Sequence, residues 1–310
     1  MRTVLFFRDF RKFHGGHLKV WHYFSHVRSA PGHQARIAFT ERSDWGEANP
    51  WNRAREDVVG SAADVSPDLF FVAGRDWQMM DKHPAAGTIP VVNFLQHVRH
   101  ADPASNRYQF LPRRAIRICV SEVVAEAARA TGVTEGPVMA IPNGVDLDHL
   151  TPSDPAATDI DVLIAGLKQP ELGAGLRDRL HKDGRRLELL EGLLPRDEYL
   201  ARVRRARCTV FLPNEAEGFY LPPLEGMAVG SLVVCPEHAG EHSIYRDGVN
   251  CARPRYGLEA VAEATESLLA LDDAEAAAMR AEALTTASEH TLRHERRAFL
   301  DILERVGELW

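Results

Sequence analysis

Short apolar runs alternate with longer amphipathic stretches along the whole chain. The apolar runs fall at residues 4–7, 35–39, 69–72, 91–95, 116–120 and 138–141, and in the second half at 161–165, 187–190, 208–212 and 232–235. Runs of this length without strict alternation are typical of strands buried on both faces. Their regular alternation with helical stretches predicts an α/β fold with parallel sheets.

The stretches between these runs show helical periodicity. Residues 18–27 form one apolar face through Leu18, Val20, Trp21, Phe24 and Val27, and further helices are predicted at 123–130, 258–271, 274–288 and 295–309. Asn143-Gly144 marks a turn, and the polar, proline-rich residues 151–155 lack periodicity. We place a linker there, so that the pattern predicts two Rossmann-like domains in tandem. Such domains serve many functions and bind ligands at the carboxyl ends of their strands.

Composition narrows the functional classes. At 310 residues the chain is long enough for two domains, and 45% hydrophobic with 26% charged residues is ordinary for a globular protein. The net charge of −7 argues against nucleic acid as a partner. The four cysteines show no paired spacing, which predicts buried thiols and a cytoplasmic protein. The first residues predict a strand and not a signal peptide, and no run approaches the roughly 18 apolar residues of a membrane span.

The most specific motif is E-G-F-Y-L-P-P-L-E-G-M-A at residues 217–228. A buried strand precedes it, and Pro222 or Pro223 suits the first turn of a helix. Glu225 would then lie in that turn and Glu217 near the end of the strand, so that both carboxylates can face one ligand. An acidic residue in a first helical turn is common for electrostatic reasons alone, so the whole string carries the prediction.

This string resembles the E-x7-E signature of retaining GT-B glycosyltransferases, the family 4 or group 1 type. Tyr220 stands where the second glycine of the signature is usual, and Gly226 where alanine is usual. The resemblance implies two Rossmann-like doubly wound domains that face each other across a cleft. Residues 1–150 would form the acceptor domain, residues 158–290 the nucleotide-sugar donor domain, and residues 291–310 a helix that crosses back to the first domain.

Further passages are similar to this family. Gly15-Gly16 match its N-terminal glycine loop, where a helix N-terminus and a close backbone can meet a phosphate. The strings V-S-E at 120–122 and I-P-N-G-V-D at 141–146 match scaffold passages. Lys168 matches a phosphate-binding lysine, although the arginine that usually precedes it is absent. His97 matches a histidine near the transferred sugar, with His100 as the competing candidate.

The resemblance implies a role for each matched residue. Glu217, Lys168 and His97 would be catalytic, and Glu225 would accept hydrogen bonds from two ribose hydroxyls. The implied donor-binding residues are Gly15, Gly16, Lys168, Gly218, Phe219, Tyr220, Leu221 and Glu225. We expect no cofactor and no metal, because no metal-ligand spacing is present and these groups can meet the diphosphate charge themselves.

The implied activity is a retaining transfer, of the hexosyltransferase type, from a UDP- or GDP-sugar to a hydroxyl of a glycan, a lipid-linked saccharide or a small natural product. Two alternatives remain at this stage: a GT-B sugar-nucleotide epimerase and a catalytically silent nucleotide-sugar binding partner. Residues 14–33 combine basic and aromatic side chains, which suits either a core-facing helix or peripheral contact with the inner face of a membrane.

Overall fold

The computed structural model describes residues 1–152, 154, 157–240 and 243–310. It divides into two compact units, one formed by Met1–Asn143 with Arg293–Trp310 and the other by Gly144–Leu292. The first boundary therefore falls within the predicted Asn143-Gly144 turn. Of the predicted linker at 151–155, Ser153 and Pro155 lie outside the described residues.

The first unit contains a parallel sheet, seven-stranded among the described residues, with the order β3-β2-β1-β4-β5-β6-β7. Its strands are β1 (Arg2–Arg8), β2 (His33–Phe39), β3 (Val58–Val59), β4 (Leu69–Ala73), β5 (Val91–Leu95), β6 (Ile116–Cys119) and β7 (Val138–Ala140). All six strands predicted in this half are confirmed. The additional strand, β3, lies at the sheet edge and is too short to produce a periodic signal.

Three α-helices connect these strands: α1 (Gly15–Arg28), α2 (Trp77–Met80) and α3 (Glu122–Ala130). The Ser121 side chain caps α3 by accepting a hydrogen bond from the backbone N–H of Val124, as the sequence predicts. In α1, Phe24 is fully buried and the Trp21 ring lies 5.7 Å from it. The aromatic residues of α1 therefore pack inside this unit. This arrangement matches the core-facing helix, one of the two interpretations of residues 14–33.

The second unit contains a parallel sheet with the order β11-β10-β8-β9 in the described part of the chain. Its strands are β8 (Ile160–Ala165), β9 (Leu187–Leu190), β10 (Ala206–Phe211) and β11 (Leu232–Val234), and all four were predicted. The helices are α4 (Pro170–Leu180), α5 (Arg196–Arg205), α6 (Pro222–Ala228), α7 (Leu258–Ala270) and α8 (Asp273–Glu289). With two parallel α/β units, the fold class is the predicted one.

The predicted helix at 295–309 is wrong in one respect, because it is not continuous. The chain forms α9 (Leu292–Glu304) and a short α10 (Val306–Leu309), and Arg305 between them has φ −94° and ψ 9°. Such a break keeps the apolar spacing nearly intact, so the sequence pattern does not reveal it.

A buried charge network holds α9 in the first unit. Glu295 is 2% exposed and pairs with Lys19, while His26 Nε2 lies 3.0 Å from its second oxygen. Burial raises the pKa of Glu295, but Lys19 and His26 together lower it to about 2. The Phe299 ring packs edge-on against Tyr23 at 4.7 Å. The chain terminus is therefore fixed by a satisfied ion pair as well as by aromatic packing.

All four cysteines are buried and none is disulfide-bonded, which agrees with the prediction of buried thiols. Burial raises the pKa of Cys119 and of Cys208 to about 12, so both are protonated at neutral pH. Among the described residues, no helix combines the length and apolar character that a membrane crossing needs.

Candidate active site

Glu217 lies in the loop that follows β10, with its side chain 9% exposed. Its Oε1 accepts three hydrogen bonds: from Lys168 Nζ at 2.5 Å, and from the backbone N–H and side-chain amide of Asn214, both at 2.9 Å. Its backbone N–H donates to the Ala239 carbonyl at 2.7 Å. The carboxylate is therefore held in one position by a cation and a loop amide.

Lys168 reaches Glu217 from the loop after β8. A Cβ atom at Gly166 would lie only 2.9 Å from Leu189 Cδ1, so this loop packs directly on the neighbouring strand. The Lys168 side chain is 39% exposed, and its ammonium lies 4.6 Å from the centre of the Tyr220 ring. Because it is paired on one side and exposed on the other, Lys168 can meet an anionic ligand without losing contact with Glu217.

Tyr220 is the non-glycine residue with positive φ in the described part of the chain, at 41°. This conformation explains why a glycine suits the position, because a side chain there costs roughly 1–2 kcal/mol. The ring is buried beside the His238 ring, with centroids 6.0 Å apart, and the Tyr220 carbonyl accepts a hydrogen bond from the Tyr245 hydroxyl at 3.0 Å. Packing and the cation–π contact with Lys168 offset the strain.

Two consecutive backbone N–H groups are unpaired in this loop. Phe219 and Tyr220 are 2% and 8% exposed, and no group in the described ranges accepts a hydrogen bond from either N–H. Gly218, which precedes them, is also buried. Leu221 follows as the N-cap residue of α6, and its carbonyl accepts a hydrogen bond from the Glu225 N–H at 3.2 Å. Unpaired N–H groups on adjacent residues suit an oxygen-rich ligand.

Glu225 lies in the first turn of α6, as predicted, and is 2% exposed. Its Oε1 accepts a hydrogen bond from Arg196 at 2.5 Å. Burial lowers the pKa of Arg196, but the Glu225 carboxylate more than compensates and raises it overall. The nearby Tyr199 hydroxyl is buried and makes no hydrogen bond within the described residues. The sequence reasoning missed Arg196, because it lies on α5, almost thirty positions before Glu225.

Close packing against β10 explains the glycine at position 226. A Cβ atom at this position would lie 2.7 Å from Phe211 Cε2, and Phe211 is fully buried at the end of β10. The aromatic ring therefore occupies the space that the methyl group of the usual alanine would fill. This brings α6 close to β10 and fixes Glu225 relative to the strand end.

Gly15 and Gly16 begin α1 directly, as the sequence predicts. The Gly16 carbonyl accepts a hydrogen bond from the Gln96 side chain at 3.0 Å, and a Cβ atom at Gly16 would lie 2.8 Å from Gln96 Oε1. Among the described residues, its chain neighbours apart, no atom lies within 4 Å of a Cβ atom placed at Gly15. Gly16 therefore allows close packing against the end of β5, whereas the space beside Gly15 is open.

His97 and His100 follow β5 in the first unit. His97 is half-buried and precedes the 3₁₀ helix Val98–Ala101, where its Nδ1 accepts a hydrogen bond from the Arg99 N–H at 3.0 Å. His100 is buried, and burial, with Arg107 and other positive neighbours, lowers its pKa to about 3. His97 thus has a capping role, and its imidazole is the more exposed of the two.

The structure brings Lys168, Glu217 and Tyr220 together in the second unit and holds Glu225 on Arg196 beside the same strand end. Gly15, Gly16, His97 and His100 lie in the first unit. Within the described ranges, no group of three or more His, Cys, Asp or Glu side chains is placed to hold a metal ion.

Comparison with known proteins agrees with this architecture. The family model described as glycosyl transferase-like matches residues 156–301. HepE of Anabaena, solved with UDP-glucose, has a TM-score of 0.77 and 14% identity, covering 98% of this chain and all of HepE (100%). A comparison with curated proteins finds no match.

Two further solved structures cover the chain to a similar extent. Sucrose-phosphate synthase of Thermosynechococcus elongatus has a TM-score of 0.72 and 14% identity over 99% of this chain and 100% of its own. A glycosyltransferase of Rickettsia africae has a TM-score of 0.71 and 13% identity over 98% of each chain. The chain therefore has the GT-B fold, and its residues 156–301 match the glycosyl transferase-like model.

Proposed function

We propose that this protein is a retaining glycosyltransferase of the family 4 type that transfers a hexosyl group from a nucleotide-sugar to a hydroxyl acceptor. The proposal rests on the loop after β10, where Glu217 and Lys168 lie together with the backbone N–H groups of Phe219 and Tyr220, which have no hydrogen-bond acceptor among the described residues. The match of residues 156–301 to the glycosyl transferase-like model supports it. The structure of HepE with UDP-glucose supports a UDP-sugar as the donor.

In this proposal, the second unit binds the donor through its nucleoside diphosphate. Glu225 accepts hydrogen bonds from the ribose hydroxyls, because a carboxylate can accept two at once. Arg196 orients Glu225 by donating a hydrogen bond to its Oε1. Lys168 neutralises the diphosphate, whose negative charge grows as the bond to the sugar breaks.

The sugar is held by Glu217 and by the N–H groups of Phe219 and Tyr220. Glu217 accepts hydrogen bonds from sugar hydroxyls, and its position is fixed by Asn214. The acceptor hydroxyl attacks the anomeric carbon on the face that the diphosphate leaves. A phosphate oxygen takes the hydroxyl proton, so that the configuration is retained and no second protein acid is required. His97, in the first unit, contributes to sugar binding.

A donor assay tests the proposal. Purified protein is incubated with UDP-glucose, UDP-galactose, UDP-N-acetylglucosamine and GDP-mannose, and nucleoside diphosphate release is measured with and without sugar acceptors. We expect turnover with one donor and a product with the donor's anomeric configuration by proton NMR. Binding of a donor without any turnover would identify a silent binding protein. Conversion of the donor to its epimer without an acceptor would identify an epimerase, and an inverted product would exclude the retaining mechanism.

Metal independence is tested in the same assay. Because Lys168 and backbone N–H groups are proposed to meet the diphosphate charge, turnover in excess EDTA should equal turnover with added Mg²⁺. Loss of activity in EDTA that Mg²⁺ or Mn²⁺ restores would show that the site requires a cation.

A further inference from the structure

Two arginines follow the carboxyl ends of the neighbouring strands β4 and β5, and a third, from the connection between β5 and β6, packs near the end of β4. Arg75 follows β4 after Gly74, a glycine with φ +60°. Arg99 lies in the 3₁₀ helix after β5, and Arg107 precedes the next 3₁₀ helix, Tyr108–Phe110. Arg107 Nε lies 4.0 Å from the position of a Cβ atom at Gly74. The guanidinium of Arg107 therefore packs over the glycine turn that carries Arg75.

None of these three side chains makes an ion pair or a side-chain hydrogen bond within the described part of the chain. Other arginines of the same unit do: Arg8 pairs with Asp76 at 3.0 Å, and Arg113 with Asp81 at 2.6 Å. The contrast shows that carboxylates are available in this unit but are not placed at the three arginines.

The arginines affect one another and the adjacent histidine. The pKa of Arg107 is lowered, first by partial burial and then by the positive charges of Arg99 and Arg75. Burial and then Arg107 are the first causes that lower the pKa of His100 to about 3. Both effects indicate a local positive potential that no carboxylate among the described residues neutralises by an ion pair. Guanidinium groups in such a place match the geometry of phosphate and carboxylate oxygens.

We propose that Arg75, Arg99 and Arg107 bind an oxyanion carried by the acceptor, a phosphate monoester or a carboxylate, so that the acceptor is an anionic sugar. This inference rests on the proposed function. In open α/β sheets, ligands bind beyond the carboxyl ends of the strands, which is where the three arginines lie. The residues proposed to hold the donor ribose and diphosphate lie mainly in the second unit, which leaves this arginine cluster for the other substrate.

Binding is tested first, with inorganic phosphate and glucuronate as probes in the presence of saturating UDP. UDP occupies the donor site, so any remaining oxyanion binding reports on the first unit. We expect both probes to bind wild type and each Arg→Ala change at 75, 99 or 107 to weaken that binding by about tenfold or more, because a charge-assisted hydrogen bond is lost. Arg107→Lys keeps the charge but loses the planar fork and should give an intermediate loss. Arg53→Ala, at an exposed arginine of the 3₁₀ helix Pro50–Asp57, is the matched control and should bind as wild type does.

Transfer to glucose 6-phosphate, glucuronate and glucose is then compared. We expect the charged acceptors to have lower KM values than glucose, and the arginine variants to remove this difference while UDP affinity is unchanged. The relative KM of the two charged acceptors distinguishes a phosphate from a carboxylate. Wild type that binds neither probe, or variants that retain the KM difference, would overturn the inference.

Two outcomes separate this inference from the proposed function. If the arginine variants weaken UDP binding as much as phosphate binding, the cluster contacts the donor and the acceptor assignment is wrong. In the second outcome, wild type releases no UDP from any donor, but it binds phosphate and the arginine variants do not. The oxyanion site then stands, and the proposed glycosyltransferase function and the acceptor assignment are wrong.

Discussion

Replacement of Lys168 by alanine separates structural from catalytic contributions at the candidate site. The ion pair with Glu217 is 39% exposed on the lysine side, so its contribution to folding is that of a partly screened pair, about 1 kcal/mol. Glu217 keeps both hydrogen bonds from Asn214 in the variant, so no unsatisfied buried carboxylate remains. We therefore expect a decrease in melting temperature of about 2–4 °C or less.

The effect on turnover should be much larger. Removing a charged group that faces developing negative charge typically costs about 3–4 kcal/mol, or roughly 10²–10³ in kcat. The KM for the donor should change less, since the diphosphate charge increases toward the transition state. Steady-state release of UDP measures both constants.

Lys182→Ala is the matched control for this prediction. Lys182 pairs with Glu266 at 2.8 Å in the same unit, and its side chain is 57% exposed. This control should lose a similar amount of stability and no turnover. A kcat within about threefold of wild type for Lys168→Ala would refute the reasoning, as would an equal loss in the control.

Three further substitutions test the donor contact of Glu225, the buried ion pair of Glu295 and the packing of Gly226. Glu225→Ala should weaken UDP binding by about 1.5–3 kcal/mol in calorimetry, because the proposed charged hydrogen bonds to the ribose are lost. An unchanged affinity would exclude Glu225 from the proposed donor site. Glu295→Gln should lower the free energy of unfolding by about 3–5 kcal/mol at pH 7, because the buried Lys19 ammonium loses the opposite charge of the Glu295 carboxylate. Since the pKa of Glu295 is about 2 when folded and 4.5 when unfolded, its contribution is present above pH 4.5 and is lost as the pH falls toward 2. Urea titrations should therefore show the two proteins converging at low pH, and a difference independent of pH would contradict the ion pair. Gly226→Ala should destabilise the protein by about 1 kcal/mol or more despite better helix propensity, because the methyl group meets Phe211, and a stabilised variant would show that the site relaxes freely.

The sheets could be predicted from the sequence because their strands are buried on both faces. Ten strands predicted from apolar runs are present at nearly the predicted positions. Two features could not be predicted. β3 is a two-residue edge strand held by pairing with β2, and the break at Arg305 leaves the apolar face of the last helices in phase. Both depend on tertiary packing and not on local periodicity.

The candidate site likewise contains residues that the sequence motif predicts and residues that only the fold brings to them. The carboxylates at 217 and 225 were found because they belong to one short motif, and that motif also locates the loop and the helix start. Their basic partners come from other elements: Lys168 from the loop after β8 and Arg196 from α5. The sequence suggested Lys168 only through the family pattern, and Arg196 gave no signal. Contacts between elements distant in sequence require the fold.

Charge balance links the donor site to the question of metal use. Glu217 pairs with the cation of Lys168, and Glu225 pairs with the cation of Arg196. A diphosphate brings additional negative charge, and the arginine usual before Lys168 in the family pattern is absent. In the proposed function, the leaving diphosphate is stabilised by Lys168 and the backbone N–H groups after Glu217, or by a cation that enters with the donor. The Lys168→Ala and EDTA experiments therefore address one question. A large loss with alanine and none with EDTA assigns the charge to the protein, whereas the reverse pattern assigns it to a bound cation.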